Sequence, residues 1–357
     1  MKITVIPGDR LTGEHVALWS RLQHADPRLD SPYFRPEFAQ AVATVRDDVA
    51  VGVLEEGNRI VGFFPFQRGR WGIGRPAGTP LSDFQGVVAR PDAPWDAEQL
   101  VRGCGLAAWR FGHLLADQQP FRPYHRATVP SPFIDLSRGF EAYEEDLRRA
   151  GSQRIRRVRR KARKAERRVG PLRFEFHTAD SRVFQKLLEW KTLQYRRTKY
   201  TNIFGFPWVV RLLEHIRDRR EAAFSGVLSA LYMGDRLAAV HLGMRSCGVL
   251  HRWFPAYDRA LAPYCPGQIL LVEMARTAAS LGVRRIDRGK GMEWHKTSFM
   301  SGTVLVAEGT VTCGPMARTL DHARRSVGRL AKTPVVGGPA RLAAALTRQL
   351  RRQWMYR

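Results

Sequence analysis

The order of predicted elements between residues 222 and 289 is the feature that most limits the fold. Three strand-like segments follow one another with only turns between them, and an apolar helix and a short strand come next. In order, these segments read AAFSGVLSALYM, RLAAVHLGMRS, GVLHRWFPAYD, YCPGQILLVEMARTAASLG and VRRIDRG. A helix between two strands of one sheet carries the chain across its face, so we expect the strands on either side of it to be parallel. The sequence therefore predicts an α/β fold (an α+β mixed sheet), with a ligand site where the third strand ends.

The start of the apolar helix favours a phosphate site. Pro266 presets the backbone of the first turn and has no N–H group, and Gly267 lets an anion approach the backbone. Free N–H groups and the helix dipole attract anions at a helix N-terminus. An ordinary helix with Gly282 as its C-cap explains the same pattern. Its position after the three strands favours a pyrophosphate cradle over Gly267, Gln268 and Ile269.

Composition is typical of a globular protein with a strongly basic charge. The chain has 357 residues, 44% of them hydrophobic, and a formal net charge of +26. No apolar run approaches the roughly 20 residues that span a membrane, and the first residues lack the pattern of a signal peptide. We therefore expect a cytoplasmic protein. The charge attracts anionic partners, and a compositional bias toward arginine explains it equally well.

The cysteines indicate neither a metal site nor a redox pair. Cys104, Cys247, Cys265 and Cys313 show no C-x-x-C spacing, so free thiols and no metal are expected. Cys265 lies at the start of the apolar helix, where a thiol pKa falls. No dedicated His/Asp pair is evident for it, and we predict no covalent role.

A basic helix is predicted between Gly151 and Gly170. It carries ten cationic side chains around a narrow apolar stripe of Ile155, Val158, Ala162, Ala165 and Val169. The cations suit the phosphates of a nucleotide-linked acceptor, of tRNA or of lipid headgroups. A solvated helix face packed on the seam between two domains is the alternative. The leucine- and arginine-rich tail from residue 315 onward suits an anionic membrane surface or docking on the protein's own core.

The first 150 residues mix strands and helices. A strand hairpin is predicted around Glu56–Asn58 and a helix from about Trp95 to Phe111. The segment LSDFQG, residues 81–86, is expected in the acceptor cleft between the halves of the protein. There, Asp83 and Gln85 would hydrogen-bond an acceptor hydroxyl or amine, and a loop that bonds to itself is the alternative.

Several stretches resemble a known family. The element order is similar to the GNAT acyltransferase fold, and the matching stretches resemble the cellulose-biosynthesis (CelD-type) acetyltransferase family. They cover most of residues 31–300 and read SPYFRPEFAQA, LSDFQG, GSQRIRRVRRKARKAER, LLEWKTLQYRRT, FPAYDRALAPYCPGQILL and GVRRIDRGKGMEWHKTSF. The most specific positions are Tyr257-Asp258, Pro266-Gly267, Asp287 and Lys296. The fuller glycine-rich loop of many GNAT enzymes is reduced here to Pro266-Gly267-Gln268.

The resemblance implies a tandem organisation, because the family is related to Fem-type peptidoglycan aminoacyl transferases with two GNAT-like halves. Residues 1–150 would be a degenerate half that contributes the acceptor cleft, and residues 151–170 a basic connecting helix. Residues 171–314 would be the acyl-CoA-binding domain, and residues 315–357 a basic helical tail.

The third strand and the residue after it hold the predicted catalytic groups. Thioester aminolysis needs a polarised acyl carbonyl and a deprotonated amine. Pro255 would open a gap in the sheet, and a backbone N–H around Ala256 and Tyr257 would serve as the oxyanion donor. Tyr257 would orient the thioester or protonate the leaving thiolate, and Asp258 would accept a proton from the amine. A packed aromatic and a helix-capping aspartate are the alternatives.

The segment after the helix contributes to the cleft mouth. Lys296 would bind an acidic acceptor group or the oxyanion, and the resemblance to Fem-type enzymes implies that it faces the acceptor, with Asp287 nearby. A surface lysine is the alternative. His251 and His295 have no recognisable orienting partner in the sequence and are predicted to be structural.

Together these residues predict an acyltransferase that needs no metal. It would move an acyl group, most simply acetyl, from acyl-CoA to an amine or hydroxyl of a small acceptor or a cell-surface polysaccharide precursor. The alternatives are a Fem-like transferase that uses aminoacyl-tRNA and a non-catalytic module that binds nucleic acid or an anionic membrane surface.

Overall fold

The computed structural model describes residues 1–314. Its strands are β1 (Lys2–Pro7), β2 (Val49–Glu56), β3 (Arg59–Arg68), β4 (Ile73–Pro76), β5 (Val88–Ala89), β6 (Ala108–Leu115), β7 (His125–Asp135), β8 (Leu172–Glu175), β9 (Arg220–Glu221), β10 (Phe224–Met233), β11 (Arg236–Ser246), β12 (Val249–Tyr257), β13 (Arg285–Asp287) and β14 (Gly302–Thr312). Its α-helices are α1 (Gly13–His24), α2 (Pro36–Ala43), α3 (Ala97–Gly103), α4 (Phe140–Arg149), α5 (Arg154–Arg168), α6 (Ser181–Thr198), α7 (Pro207–Asp218), α8 (Pro266–Ser280) and α9 (Trp294–Thr297).

The strands form one continuous mixed sheet. The main path runs β1-β2-β3-β4-β6-β14-β7-β13-β12-β11-β10-β8. The parallel pairs are β12 with β13 and β4 with β6, and the other pairs are antiparallel. β12 and β13 are the strands joined by α8, so the parallel crossover expected from the sequence is confirmed.

Two strands, β7 and β14, link the N-terminal and C-terminal halves of this sheet by pairing with strands from the other half. β7 comes from the first 150 residues and pairs with β13, while β14 comes from the end of the described chain and pairs with β6 and β7. The sheet therefore continues through the predicted boundary at residue 150. The four-part division of the chain stays a prediction, and its last part, 315–357, lies outside the described residues.

Helices cover both faces of the C-terminal half of the sheet. The buried side chains of α6 and α7 pack in one cluster with the inner face of β10–β12, and those of α5 and α8 pack in a second cluster on the other face. α8 is apolar over most of its surface because it packs against both the sheet and α5. Its buried side chains include Leu270, Met274 and Ala278. These contacts fix the N-terminus of α8 against the end of β12.

The basic helix forms as predicted. In α5, Ile155, Val158 and Ala165 are buried while most of the cations are exposed. Lys161 Nζ donates a hydrogen bond of 2.8 Å to the carbonyl of Pro263, immediately before α8. The apolar stripe thus packs on the domain, and the basic faces remain available to solvent.

One predicted helix is wrong. The segment from Trp95 to Phe111 was expected to be helical throughout, but α3 ends at Gly103 and β6 begins at Ala108. β6 lies between β4 and β14 with a core on one face and most of its residues buried or half-buried. Gly105, whose φ is 69°, marks the turn between α3 and β6, and it is the signal that separates the two elements.

Candidate active site

A gap in the sheet begins halfway along β12. β12 and β13 pair at only three positions, and the last pair is His251 with Asp287. β13 ends there, whereas β12 continues to Tyr257. Gly289 and Gly291 then take positive φ angles of 73° and 112°, so the chain after β13 turns away. The edge of β12 from Arg252 onward consequently faces an opening.

A cavity of about 680 Å³ occupies this opening. Its wall comes from the outer part of β12, from α6, from the start of α8 and from the segment around α9. Predicted site residues on the wall are Ala256, Tyr257, Asp258, Pro266, Gly267, Gln268 and Lys296. The structure thus brings together residues that lie up to about 40 positions apart in the sequence.

The start of α8 leaves room for a ligand at Gly267. A Cβ atom built on Gly267 would meet only Tyr257 Cδ1, at 3.5 Å. Cys265 holds the turn before the helix with a left-handed φ of 56°. Its carbonyl already accepts the N–H groups of Gln268 and Ile269, at 3.0 and 3.2 Å. An anion at this end would therefore share those two donors with the carbonyl, and Gly267 offers the closest approach.

The backbone of Tyr257 points toward the gap. Asp258 N donates to the carbonyl of Ala238 on β11, at 2.9 Å. N–H groups alternate in direction along an antiparallel strand, so Ala256 faces β11 in the same way and Tyr257 faces the opposite side. Tyr257 thus supplies the outward N–H expected of an oxyanion donor. Its ring is 43% exposed.

The carboxylate of Asp258 is engaged on both oxygens. Oδ1 accepts the N–H of Ala260 at 2.9 Å and caps the short 3₁₀ helix that follows. Oδ2 accepts from the guanidinium of Arg236 at 2.6 Å. Both oxygens therefore already accept hydrogen bonds within the protein, which favours the capping role over proton abstraction.

Lys296 faces the cavity, whereas Asp287 does not. Lys296 Nζ donates to the carbonyl of Lys290 at 2.5 Å and lies 3.3 Å from the carboxylate of Glu293. Asp287 is 1% exposed and lies 2.9 Å from Arg285 Nε in a buried ion pair. Asp287 therefore helps to fix the end of β13, and Lys296 is the member of the two that can contact a ligand.

The loop at residues 81–86 reaches β12 through Asp83. Asp83 Oδ2 lies 3.1 Å from His251 Nε2, and Oδ1 lies 3.6 Å from His113 Nε2. Burial alone would raise the pKa of Asp83, but the hydrogen bond and charge of His251 lower it to about 2. His251 therefore has the orienting partner that the sequence did not reveal, because the two residues lie 168 positions apart.

Gln85 is committed to the loop itself. Its Oε1 accepts the N–H groups of Gly112 and His113 at 3.0 and 2.9 Å, and its Nε2 donates to the carbonyl of Ser82 at 3.1 Å. With 5% exposure it has little capacity left for an acceptor. In the structure, Gln85 therefore stabilises its own loop, which is the alternative to acceptor binding given in the sequence analysis.

Three cations on the cavity wall were not singled out in the sequence. Burial lowers the pKa of Lys191 to about 8, of Arg252 to about 9 and of Arg288 to about 10. Lys191 belongs to α6, Arg252 to the middle of β12, and Arg288 follows β13 directly. An arginine inside the apolar strand GVLHRWF is the sequence signal that could have revealed one of them.

Residues 1–314 show neither a metal site nor a membrane-spanning helix. Within residues 1–314, no group of three or more His, Cys, Asp or Glu residues is arranged to hold a metal ion. No helix in that range is long and apolar enough to cross a membrane.

Comparison with known proteins identifies the domain that holds the cavity. Residues 152–297 match the family model described as Acetyltransferase (GNAT) domain, and no curated protein sequence matches the chain. Similar solved structures include FemX, with a TM-score of 0.58 at 10% identity over 87% of this chain and 96% of that chain. The C-terminal DUF2156 domain of a protein described as a lysylphosphatidylglycerol synthetase from Agrobacterium fabrum gives 0.53 at 13% identity, over 88% and 96%. A tandem GNAT protein from the clavulanic acid biosynthesis pathway gives 0.50 at 10% identity, over 88% and 99%.

These likenesses extend to most of the chain, although at such low identity they concern the fold alone. None of them singles out the cellulose-biosynthesis family. Residues 152–297 are thus similar to GNAT acetyltransferase domains, within a fold that resembles those of tandem GNAT proteins, and the family match supports an N-acyltransferase.

Proposed function

We propose that the protein transfers an acyl group, most simply acetyl, from acyl-CoA to an amine of a small acceptor. The observation that carries this proposal is the cavity between the diverging β12 and β13, onto which the N-terminus of α8 opens. A thioester with a long arm and a pyrophosphate fits such a site, because the gap admits an extended chain and the helix start favours an anion.

The residues present fit acyl-CoA on two counts. Gly267 has open space beside its Cα, so a phosphate can approach the backbone. Six cationic side chains and two carboxylates line the cavity, which favours an anionic ligand. Pro266, Gln268 and Ile269 complete the first turn of α8 and would hold the pyrophosphate with Gly267, while Ala256 and Tyr257 would flank the arm. When bound, the thioester supplies an activated acyl carbonyl.

Backbone and side-chain groups of the protein would orient the thioester and the acceptor and stabilise the negative charge of the transition state. The outward N–H of Tyr257 can donate to the carbonyl oxygen that becomes negative in the transition state. The phenol of Tyr257 can hold a proton for the leaving thiolate. Lys296 carries a positive charge at the same cavity and would contact the acceptor. Asp83 would contribute indirectly, by holding the ring of His251 in one orientation where β12 and β13 separate, because neither side chain lines the cavity.

The acceptor class rests on the resemblance of the stretches quoted above to the cellulose-biosynthesis family. We infer that the acceptor group is an amine or hydroxyl of a cell-surface polysaccharide precursor and that the protein acts in the cytoplasm. The exposed cations of α5 would hold the protein at an anionic membrane surface. The tail that shares this role in the proposal lies outside the described residues.

A second candidate is transfer from aminoacyl-tRNA. The observation that favours it is the position of α5, whose Lys161 bonds to Pro263 beside the start of α8. A basic helix next to the donor site would suit a polyanion longer than CoA.

Thermal unfolding separates these candidates. Acetyl-CoA at about 100 times its Kd should raise the free energy of unfolding by about 2.7 kcal/mol and increase Tm. CoA without the acyl group and aminoacyl-tRNA are run beside it at low and high salt. No shift with any acyl-CoA, together with a salt-sensitive shift on charged tRNA, would replace the first function by the second. No stabilisation by either donor would refute both.

A further inference from the structure

Three cations line one end of the cavity, the deep end, which we define by Lys191, Arg252, Arg288 and Ser298. Arg252 Nε, Arg288 Nε and Ser298 Oγ are buried and have no hydrogen-bond partner among the described residues. Buried polar groups without partners are uncommon and each costs free energy, so the protein alone leaves this end of the cavity incompletely satisfied.

The positive charge at the deep end is not balanced by the protein. Both carboxylates of the cavity wall are engaged by cations that lie outside it: Glu189 with Lys186 at 2.7 Å and Asp258 with Arg236 at 2.6 Å. Burial, and then the neighbouring charge of Arg252, lowers the pKa of Lys191. An anion at this point would relieve the repulsion between these cations.

The phosphates of acyl-CoA lie too far away to supply that anion. Gly267, the expected phosphate contact, lies beside Tyr257, and Arg252 lies five residues earlier on the same extended strand. At about 3.3 Å per residue, the two positions are about 16 Å apart. The deep end is therefore separated from the expected pyrophosphate position by much of the length of the opening.

We propose that the deep end is a carboxylate-binding subsite, so that one of the two reacting molecules carries a free carboxylate. The proposal builds on the acyl transfer proposed above. The guanidinium of Arg252 can bind a planar carboxylate through paired hydrogen bonds, and the Lys191 ammonium and the Ser298 hydroxyl lie on the same wall. Arg288 contributes its charge, because its two Nη atoms already donate to the carbonyls of Lys296 and His295, both at 2.5 Å. Apolar side chains of Trp190, Leu193 and Phe299 also line the cavity, which disfavours the burial of a doubly charged phosphate.

The carboxylate has two possible sources, the acceptor and the acyl group, and matched ligands separate them. For the acyl group, succinyl-CoA is compared with butyryl-CoA, which has the same chain length and no carboxylate. For the acceptor, β-alanine and a panel of L-amino acids are compared with their carboxamides. Phosphoethanolamine replaces β-alanine as the phosphate probe. Affinities are measured by isothermal titration calorimetry, and the amines are also titrated without any thioester.

The variants are Arg252→Met and Lys191→Gln, with Arg182→Gln as the matched control. Arg182 is on the same helix as Lys191, but its side chain is 90% exposed and pairs with Asp180. Circular dichroism verifies that each variant is folded, and Lys191→Gln carries the test if Arg252→Met does not fold.

We expect the carboxylated member of at least one pair to bind about tenfold more tightly, since it gains a charge-assisted hydrogen-bonded contact. That preference should disappear in both variants and persist in the control. Equal affinities within both pairs, tighter binding of phosphoethanolamine than of β-alanine, or a preference that survives both substitutions would overturn the proposal. If no thioester binds at all, the proposed function fails, and the amine titrations still decide whether the subsite exists.

Discussion

Substitution of Gly267 tests the placement of the phosphate site directly. Gly267 is in the first turn of α8, its φ is not positive, and a Cβ there makes only an ordinary contact with Tyr257. Gly267→Ala should therefore not destabilise the fold, and helix propensity alone favours Ala by about 1 kcal/mol. Gly267→Glu places a negative charge where the pyrophosphate is expected.

The magnitude follows from Coulomb's law. Two unit charges about 6 Å apart at an effective dielectric constant of about 20 repel by about 3 kcal/mol. We therefore expect Gly267→Glu to weaken acetyl-CoA binding about a hundredfold. Isothermal titration calorimetry measures the Kd, and Tm of the free variant reports the fold.

Gly13 offers a matched control. It begins α1, its φ is not positive, and a Cβ there would meet no atom within 4 Å. Gly13→Glu adds the same charge at a helix start far from the cavity and should leave the Kd unchanged. If Gly267→Glu binds acetyl-CoA as tightly as Gly13→Glu does, the cofactor's phosphates do not lie at α8 and the reasoning is refuted.

Three further substitutions address the charges and the thiol around the cavity. Asp83 has a pKa of about 2 in the folded chain against an ordinary value of 3.8, so wild-type stability should fall as the pH drops from 4 toward 2, and Asp83→Asn should lose about 2 kcal/mol of that dependence in acid denaturation. Lys191 has a pKa of about 8 in the folded chain against an ordinary value of 10.5, so the unfolded state binds more protons between these two pH values. Wild-type stability should therefore rise with pH across that window, and a flat profile would contradict this. Lys191→Met should be about 2 kcal/mol more stable than wild type at pH 7. Cys265→Ser should retain most of the transfer activity in a thiol-release assay, because direct transfer needs no covalent intermediate; complete loss with intact acetyl-CoA binding would indicate acylation of the thiol.

The elements around α8 could be predicted because their signals are local. Pro266 and Gly267 mark the start of α8, and the apolar run ends with the turn at Gly282. The three preceding strands are separated by short turns, so their order on the sheet follows from chain connectivity. A ligand site was therefore expected at the end of the third of these strands, where the cavity lies.

The contacts between distant segments could not be predicted in this way. Asp83 and His251 meet only because the loop at 81–86 packs against β12, where the ring of Tyr33 also contacts His251 at 4.9 Å between centroids. Arg252 lies in an apolar strand, and it reaches the cavity wall only because β12 and β13 diverge beside it. β6 begins at Ala108, only five positions after α3 ends at Gly103, so the short break between them was read as part of one helix.

The position of β14 between β6 and β7 also bears on how the chain folds during synthesis. β14 is the last strand of the described chain, yet its partners β6 and β7 are made almost 200 residues earlier. The edge of β6 therefore remains open while most of the protein leaves the ribosome, at about 5–20 residues per second. An open strand edge can pair with other chains, so in this interval the nascent protein is exposed to aggregation and to chaperones. The order of synthesis thus delays completion of the N-terminal half of the sheet until β14 has been made.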